Sequence, residues 1–195
     1  MTVTGSFTLS AALLAGGQGR RLGGRDKGLM VWRGEPVAAY MTRLLRCVAA
    51  PVMISCNRNQ TEYSQWADLL VGDSEPGFPG PMAGILAALR VCKTTHLLVV
   101  PCDLPRLDEA LIVALVAQSR NHPERLCLLR AGEQWQPLVC VIPRALTRSL
   151  EKAWSAGQRS PLRWMLGQPH QTLQVAGDDL RLHNANRPDD WSIEG

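Results

Sequence analysis

The chain carries, directly after an apolar run at Leu9–Leu14, the stretch Leu14-Ala15-Gly16-Gly17-Gln18-Gly19-Arg20-Arg21-Leu22-Gly23-Gly24-Arg25-Asp26-Lys27. This stretch combines five glycines with four basic side chains. Glycine lets the backbone approach a ligand closely, and consecutive N–H groups in such a loop form an anion-binding concavity. Arginine and lysine add full charges that match phosphate. A strand that ends in a loop of this kind indicates a site for a nucleoside triphosphate.

Two better-known phosphate loops fit the stretch poorly. A Walker loop requires G-x-x-x-x-G-K-[ST], whereas Gly24 is followed by Arg25-Asp26-Lys27-Gly28, so the spacing and the hydroxyl are both missing. The dinucleotide fingerprint G-x-G-x-x-G would place Leu22 where its third glycine belongs. A dehydrogenase stays an alternative to the triphosphate site, as does a solvated loop without function.

Composition and charge exclude several classes of protein. Of 195 residues, 46% are hydrophobic and 19% charged, which permits one large buried core and argues against disorder. The net charge of +4 is too small to indicate nucleic acid, so a small anionic substrate is favoured over a polymer. The six cysteines form no C-x-x-C pair, which is typical of reduced thiols, and no apolar run is long enough for a bilayer. We therefore expect one cytoplasmic domain, residues 1–195, with no membrane or nucleic-acid partner.

Apolar runs alternate with helical patterns over the first 120 or so residues. Four strands are predicted, at Leu9–Leu14, Val52–Cys56, Leu69–Val71 and Leu97–Val100. Three helices are predicted, after Pro36, from Pro81 and around Leu107–Val116. This alternation indicates crossover units and predicts an α/β fold whose parallel sheet is covered by helices on both faces.

The pattern changes after Asn121. Two strands are predicted at Leu126–Leu129 and Leu138–Ile142, around a turn at 130–133. Two helices follow, at Arg144–Ala156 and Leu162–Leu166, and two late strands, at Thr172–Val175 and Arg181–Asn184. We interpret the boundary as a change of role within one domain.

Polar segments follow four of the predicted strands. In open α/β sheets, ligands bind beyond the carboxyl ends of the strands. The four segments are the glycine-rich stretch, Ser55-Cys56-Asn57-Arg58, Gly72-Asp73-Ser74 and Pro101-Cys102-Asp103. We expect them to meet at one edge of the sheet, although they are distant in the chain.

Three side chains in these segments are candidates for binding a nucleotide. Asp103 follows the most apolar strand and would be a hard oxygen ligand for Mg²⁺, or it would cap a helix starting near Pro105. Lys27 would meet a triphosphate, or it would form an exposed ion pair with Asp26, which contributes little. Asp73 would accept hydrogen bonds from ribose or guanine, or it would form a turn.

The motifs together resemble those of the molybdenum cofactor guanylyltransferases. The residues that carry the resemblance are Leu14-Ala15-Gly16-Gly17, Arg20-Arg21-Leu22-Gly23-Gly24, Asp26-Lys27-Gly28, Gly80-Pro81-Met82-Ala83-Gly84 and Pro101-Cys102-Asp103-Leu104-Pro105. Two later motifs match as well, Gln136-Pro137-Leu138 and Asn184-Ala185-Asn186-Arg187-Pro188-Asp189-Asp190. The matched motifs span most of the chain.

The resemblance implies a Rossmann-like three-layer α/β/α sandwich with a mostly parallel sheet. It also implies an enzyme that transfers GMP from GTP to the terminal phosphate of molybdopterin and releases pyrophosphate, with Mg²⁺ as cofactor and no covalent intermediate. Other proteins of molybdenum cofactor biosynthesis and chaperones of acceptor enzymes are the implied partners. The part of the chain to about residue 120 would bind the nucleotide, and the remainder would form the pterin side.

The resemblance also assigns roles to individual residues. Asp103 would bind Mg²⁺, and Arg21 and Lys27 would neutralise the triphosphate. The remaining nucleotide-binding residues would be Leu14, Ala15, Gly16, Gly17, Ser55, Asn57 and Asp73. The pterin side would be lined by Gln136, Pro137, Asn184 and Asn186.

The sequence departs from the family at one position. The family often has Asn-x-Asn-Arg after the second strand, whereas this chain has Ser55-Cys56-Asn57-Arg58. Serine is shorter than asparagine, so we expect Asn57 to carry more of the guanine contact.

Several alternatives stay open at this stage. The enzyme would be a related nucleotidyltransferase that uses CTP or a sugar phosphate, or the chain would be a non-catalytic GTP-binding module. On the pterin side, Gln136-Pro137 would form an ordinary turn before a strand, and Asn184 and Asn186 would cap a last helix at Pro188.

Overall fold

The structure is a computed structural model that describes residues 6–17, 23–72 and 80–191. Its strands are β1 Leu9–Leu14, β2 Val31–Trp32, β3 Glu35–Pro36, β4 Val52–Ser55, β5 Leu69–Val71, β6 His96–Pro101, β7 Leu126–Ala131, β8 Gln134–Pro143 and β9 His170–Val175. Its α-helices are α1 Val37–Arg46, α2 Gln60–Tyr63, α3 Pro81–Val91, α4 Glu109–Asn121, α5 Thr147–Ser155 and α6 Pro161–Leu166. Short 3₁₀ helices lie at Lys27–Leu29, Arg144–Leu146, Leu180–Leu182 and Pro188–Trp191. No helix within the described ranges combines the length and the apolar character that crossing a bilayer requires.

Seven of the strands form one sheet in the order β5-β4-β1-β6-β8-β7-β9. The pairs β5–β4, β4–β1, β1–β6 and β7–β9 are parallel. Strand β8 is antiparallel to both of its neighbours, β6 and β7, so it runs against the other six strands of this sheet. The prediction of an α/β fold with a mostly parallel sheet is confirmed.

The two faces of the sheet belong to different cores. Ala11 and Leu13 of β1 pack into a core that includes residues of α1 and α4, whereas Ala12 packs into one that includes residues of α3, α5 and α6. Successive side chains of a strand point to opposite faces, and a sheet buried on both faces needs apolar residues at every position. This is why β1 reads as a continuous apolar run. Helices on both faces complete the predicted three-layer sandwich.

The start of helix α4 differs from the prediction. The helix begins at Glu109, not near Pro105, and its N-cap is Asp108, whose side chain accepts a hydrogen bond from the Leu111 N–H at 2.8 Å. An aspartate at this position satisfies one of the unpaired N–H groups of the first turn. Asp103 is therefore not the cap of this helix.

The turn predicted at 130–133 is shorter than expected, because β7 ends only at Ala131 and β8 already begins at Gln134. Gln136-Pro137 consequently lies within β8 and not in a turn. The pairing with β7 shifts at this point, since Leu128 pairs with Cys140 and Leu129 with Gln136. Proline has no N–H to donate to a ladder, and a bulge is one of the few places in a sheet that tolerates it.

The late strand predicted at Arg181–Asn184 is also wrong. Leu180–Leu182 forms a 3₁₀ helix, which starts at Asp179 because the Asp179 carboxylate accepts a hydrogen bond from the Arg181 N–H. The Arg181 guanidinium binds the same carboxylate and also reaches Asp108. These contacts lower the pKa of Asp179, the hydrogen bond from the Arg181 side chain having the largest effect.

Candidate active site

Lys27 and Asp103 lie side by side beyond the carboxyl ends of the parallel strands. Lys27 opens the 3₁₀ helix after the glycine-rich stretch, and Asp103 follows the end of β6. The Lys27 Nζ donates to Asp103 Oδ2 at 3.0 Å and to Asn186 Oδ1 at 2.6 Å. The Lys27 and Asp103 side chains are 21% and 20% exposed, so the pair is shielded but not closed to solvent. The strand ends therefore converge at Lys27 and Asp103 as expected.

Asn186 reaches this pair because the C-terminal segment is bonded to the loop after β6. The Ala185 N–H donates to the Asp103 carbonyl at 2.8 Å. The N–H groups of Arg187 and Asn186 donate to Asp190 Oδ2 at 2.7 and 2.8 Å, and these bonds lower the pKa of Asp190. The side-chain oxygen of Asn186 accepts from Lys27, and Asp190 accepts the backbone N–H groups just before the helix at Pro188–Trp191.

Asp26 does not form the exposed ion pair with Lys27 that was the alternative for these residues. Its side chain is only 5% exposed. Oδ1 accepts hydrogen bonds from the Tyr63 hydroxyl at 2.5 Å and the Gly28 N–H at 3.1 Å, and Oδ2 accepts one from Asn59 Nδ2 at 2.8 Å. The two adjacent side chains therefore point to different partners.

Arg58 connects this buried carboxylate to the glycine-rich stretch. Its Nε lies 3.4 Å from Asp26 Oδ2. Its two terminal nitrogens donate to the Gly24 carbonyl at 2.8 Å and the Gly17 carbonyl at 3.2 Å. One side chain thus holds the described residues on both sides of the segment 18–22. The predicted phosphate-binding residue Arg21 lies within that segment, outside the described residues.

The backbone at the start of the glycine-rich stretch continues the sheet. The Cys102 N–H donates to the Leu14 carbonyl at 3.1 Å, and the Ala15 N–H donates to the Ser55 carbonyl at 2.8 Å. The Ala15 N–H is thus already used within the sheet.

Ser55 is the last residue of β4 and Asn57 lies two residues beyond it, but their surroundings differ. Ser55 is 4% exposed, and a Cβ added to Gly84 of α3 would lie 2.6 Å from its Oγ. Asn57 is exposed and borders the loop, since a Cβ added to Gly16 would lie 3.6 Å from Asn57 Nδ2. The exposed amide fits the expectation that Asn57 carries more of a base contact than Ser55. Asp73 lies outside the described residues.

The residues predicted for the pterin side are spread along the same edge. Gln136 and Pro137 are half-buried near the start of β8, the strand next to β6. Because β8 runs in the opposite direction, its beginning lies at the edge where β6 ends. Asn184 is exposed, and Asn186 is bonded to Lys27. Of this set, Asn186 is thus tied directly to the residues predicted to bind the nucleotide.

Sequence reasoning did not find the partners of Asp26 or of Asn186. Tyr63 is 37 residues from Asp26, and Asn186 is 159 residues from Lys27. Nothing in the local sequence indicates the contact of Asn186, and only Gly28 hints at the contact of Asp26. Gly28 was a usable signal, because a Cβ added there would overlap the Tyr63 hydroxyl.

Among the described residues, the Cys56 and Cys102 thiols and the His96 imidazole offer no nucleophile or base to the site. Burial, with a smaller effect from the Asp26 charge, raises the pKa of Cys56 to about 11, and burial also raises the pKa of the Cys102 thiol. A protonated thiol is a poor nucleophile. His96 is buried at the opposite end of β6, where its Nε2 donates to the Pro123 carbonyl at 2.7 Å.

Asp103 offers one carboxylate to which a cation could bind. Among the described residues, no three His, Cys, Asp or Glu side chains form a group that could hold a metal ion by themselves. Mg²⁺ usually keeps several waters and takes one or two carboxylates together with substrate phosphates. A single, partly exposed carboxylate next to a lysine fits this mode of binding, in which the nucleotide supplies further ligands.

A glycine-rich loop, a lysine and an aspartate at the carboxyl edge of a mostly parallel sheet are typical of nucleotide-binding α/β proteins. Residues 11–173 match the family model of the MobA-like NTP transferase domain. A molybdenum cofactor guanylyltransferase of Pseudomonas fluorescens (strain Pf0-1) is 47% identical over 180 residues, which cover 92% of this chain and 90% of the relative. That of Pseudomonas paraeruginosa is 46% identical over 180 residues, 92% of this chain and 91% of the relative. The chain therefore belongs to the MobA-like NTP transferases and, among them, to the molybdenum cofactor guanylyltransferase family.

Solved structures share the fold at lower identity. Molybdopterin-guanine dinucleotide biosynthesis protein A from Archaeoglobus fulgidus is 20% identical, with a TM-score of 0.72 over 93% of this chain and 94% of that chain. The 2-C-methyl-D-erythritol 4-phosphate cytidylyltransferase from Thermus thermophilus is 14% identical, with a TM-score of 0.68 over 92% of this chain and 94% of that chain. At these identities the likeness shows the fold alone, and it includes an enzyme named for a different nucleotide.

Proposed function

We propose that the protein transfers GMP from GTP to the terminal phosphate of molybdopterin and releases pyrophosphate. The names of the relatives that are 46–47% identical support this reaction. The observation that carries it is the contact between Lys27 and Asp103, 3.0 Å apart at the edge of the sheet. A cation and a carboxylate at that place suit a triphosphate and the divalent metal that accompanies it.

In this proposal, Asp103 holds Mg²⁺, and Lys27 and Arg21 neutralise charge on the triphosphate. Bound Mg²⁺ would offset negative charge on the phosphates. Lys27 can turn from Asp103 toward a phosphate without leaving Asn186, because an ammonium group has three donors. Positioning and charge neutralisation are the main requirements of phosphoryl-group displacement.

The acceptor needs no general base from the protein. A phosphate monoester has a second pKa of about 6, so its attacking oxygen is ionised near neutral pH. This fits an in-line displacement without a covalent intermediate. The buried, protonated Cys56 and Cys102 thiols are consistent with the same conclusion.

The remaining site residues divide between the two substrates. Residues proposed for the nucleotide are Leu14, Ala15, Gly16, Gly17, Ser55, Asn57 and Asp73. Residues proposed for the pterin are Gln136, Pro137, Asn184 and Asn186. We propose one domain over residues 1–195, in which the part to about residue 120 binds the nucleotide and the remainder forms the pterin side.

The proposed cellular setting follows from the chemistry of the chain. All six cysteines are free, and five of them are buried, which suits the reducing cytoplasm. The small-molecule partners we propose are GTP and molybdopterin. The protein partners we propose are other proteins of cofactor biosynthesis, which would deliver substrate, and chaperones of acceptor enzymes, which would receive product. The net charge of +4 gives no reason to add a nucleic acid.

The test is an assay of pyrophosphate release with molybdopterin and each of the four NTPs in the presence of Mg²⁺. We expect release with GTP, and we expect Asp103→Ala to abolish it while the variant stays folded by circular dichroism. Glu124→Ala is the control, because Glu124 is exposed on the segment between α4 and β7, at the opposite edge of the sheet. Release with CTP alone would establish a related nucleotidyltransferase, and GTP binding without release would establish a binding module.

A further inference from the structure

Asp26 is a buried carboxylate surrounded by donors from its own 3₁₀ turn and from the segment 58–63. It accepts hydrogen bonds from the Gly28 N–H, the Tyr63 hydroxyl and the Asn59 amide, and it faces the Arg58 guanidinium. A buried charge is costly unless it is paired and hydrogen-bonded. Here both oxygens have partners, which offset the cost of burying a side chain that is only 5% exposed.

The donors hold Asp26 in one orientation. Burial, followed by the hydrogen bond to Asp26, raises the pKa of Tyr63, so the phenol stays protonated and donates. Gly28 packs so closely that an added Cβ would overlap the Tyr63 hydroxyl. The backbone is therefore fixed on both sides of Lys27, by the Asp26 side chain before it and by the Gly28 contact after it.

The same cluster fixes the glycine-rich stretch. Arg58 faces Asp26 with its Nε and donates from its terminal nitrogens to the carbonyls of Gly17 and Gly24. Charge-assisted hydrogen bonds are shorter and stronger than neutral ones. Arg58 thus ties Gly17 and Gly24, the described residues near the two ends of segment 18–22, to the residue that precedes Lys27.

We propose that Asp26 is a positioning residue, which holds the Lys27 ammonium in register with Asp103 through the Lys27 backbone, and holds Gly17 and Gly24 through Arg58. The inference rests on the proposed binding of GTP and adds the residue that sets the geometry of the site. It predicts that Asp26 affects nucleotide binding only through the positions of Lys27 and of the residues on either side of segment 18–22.

The test is a double-mutant cycle read by calorimetric binding of Mg²⁺-GTP without the pterin. Asp26→Asn keeps the size of the side chain but removes the charge that faces Arg58. We expect it to weaken GTP binding about tenfold, because displacement of a binding group by about an ångström has effects of this order or larger. In a Lys27→Ala background the further loss should shrink to about twofold, since contacting residues that act as a unit are non-additive.

Asp68→Asn is the matched control. Asp68 also pairs with an arginine, Arg46, at 2.6 Å, and accepts a hydrogen bond from the Val52 N–H at 2.7 Å, but it lies before β5 at the other end of the strands. We expect it to lower the melting temperature and to leave GTP affinity within about twofold, alone or with Lys27→Ala. Tyr63→Phe, which removes one donor and keeps the ring, serves if Asp26→Asn does not fold, and it should weaken GTP binding about threefold, a smaller loss expected for one hydrogen bond.

The outcomes separate this inference from the proposed function. If Lys27→Ala weakens GTP binding while Asp26→Asn and Tyr63→Phe leave it unchanged, Asp26 is not a positioning residue and the proposed function stands. Equal losses from Asp26→Asn with and without Lys27 also overturn the inference, because they show that Asp26 does not position the Lys27 ammonium. Wild-type protein that binds no GTP overturns the proposed function and the inference together.

Discussion

The Lys27 ammonium lies 3.0 Å from the Asp103 carboxylate, although 76 residues separate them in the chain. The contact arises because Lys27 follows the loop after β1 and Asp103 follows β6, and these two strands are parallel neighbours. Parallel neighbours present their carboxyl ends at one edge, where α/β sheets bind ligands. The contact therefore depends on the order of the strands in the sheet.

Lys27→Arg is expected to keep the charge but lose most of the activity. The Lys27 Nζ fits between Asp103 Oδ2 at 3.0 Å and Asn186 Oδ1 at 2.6 Å, a space for a compact ammonium and not for a planar guanidinium. We expect kcat/KM for GTP to fall about tenfold in Lys27→Arg and about a hundredfold in Lys27→Ala. Steady-state kinetics measures both. Full activity in Lys27→Arg would show that charge alone suffices.

Asn186→Asp is expected to weaken GTP binding more than Asn186→Ala does. The alanine variant only removes one acceptor from Lys27, whereas the aspartate places a second carboxylate beside Asp103 and opposes the triphosphate charge. We expect the KM for GTP to rise about threefold in the alanine variant and about tenfold or more in the aspartate variant. Asn121→Asp, an exposed change at the end of α4, is the control for added charge. The reverse order of effects would contradict the geometry.

Gly84→Ala is expected to destabilise the protein, and Ser55→Ala is expected to reverse most of that loss. An added Cβ at Gly84 would lie 2.6 Å from the Ser55 Oγ but 3.5 Å from the Ser55 Cβ. Overpacking of this kind costs about 1–3 kcal/mol, whereas alanine in a helix is otherwise favoured over glycine by about 1 kcal/mol. Urea denaturation of the two single variants and the double variant measures the coupling. Additive losses would show that Ser55 is not the obstacle.

His96 is expected to make the protein less stable below about pH 6.5. Burial lowers the pKa of His96 in the folded state, whereas an unfolded histidine titrates near pH 6.5. The unfolded state therefore binds the proton first, and stability is lost as pH falls from 6.5 toward the folded pKa. The free energy of unfolding is to be measured between about pH 8 and about pH 5.5, on both sides of the unfolded histidine pKa. It should fall less steeply with pH in His96→Gln than in the wild type. Parallel curves would exclude His96 as the cause.

The sheet and most helices could be predicted because their signals are local. Strand β5 occurs at the predicted Leu69–Val71, and helix α1 starts after Pro36 as predicted, with Met41 and Leu45 buried about one helical turn apart. The hairpin of β2 and β3 was missed because its strands are two residues long. Its turn also requires positive φ at Arg33, +53°, a conformation that sequence does not predict for arginine.

Sequence could predict only those parts of the candidate site that follow the ends of strands. The rule that parallel strands meet at one edge placed Lys27 near Asp103. It could not place Asn186, which arrives through irregular chain held by the Arg181–Asp179 pair. It also could not show that Asp26 is buried, because burial depends on Tyr63 of α2, a helix that was not predicted. Contacts between irregular segments depend on tertiary packing and leave no periodic pattern in the chain.

Because β8 runs against its neighbours, it is joined to β7 by a tight turn at the edge of the proposed site. A parallel strand next to β6 would have required a long crossover connection, whereas β7 reaches β8 through a tight turn at Gly132, which has φ of +54°. Insertions at this turn would lengthen a wall beside the cleft and leave β1, β4 and β6 untouched. If the proposed division of the site holds, acceptor preference can diversify by changes in one hairpin while the half proposed to bind the triphosphate stays constant.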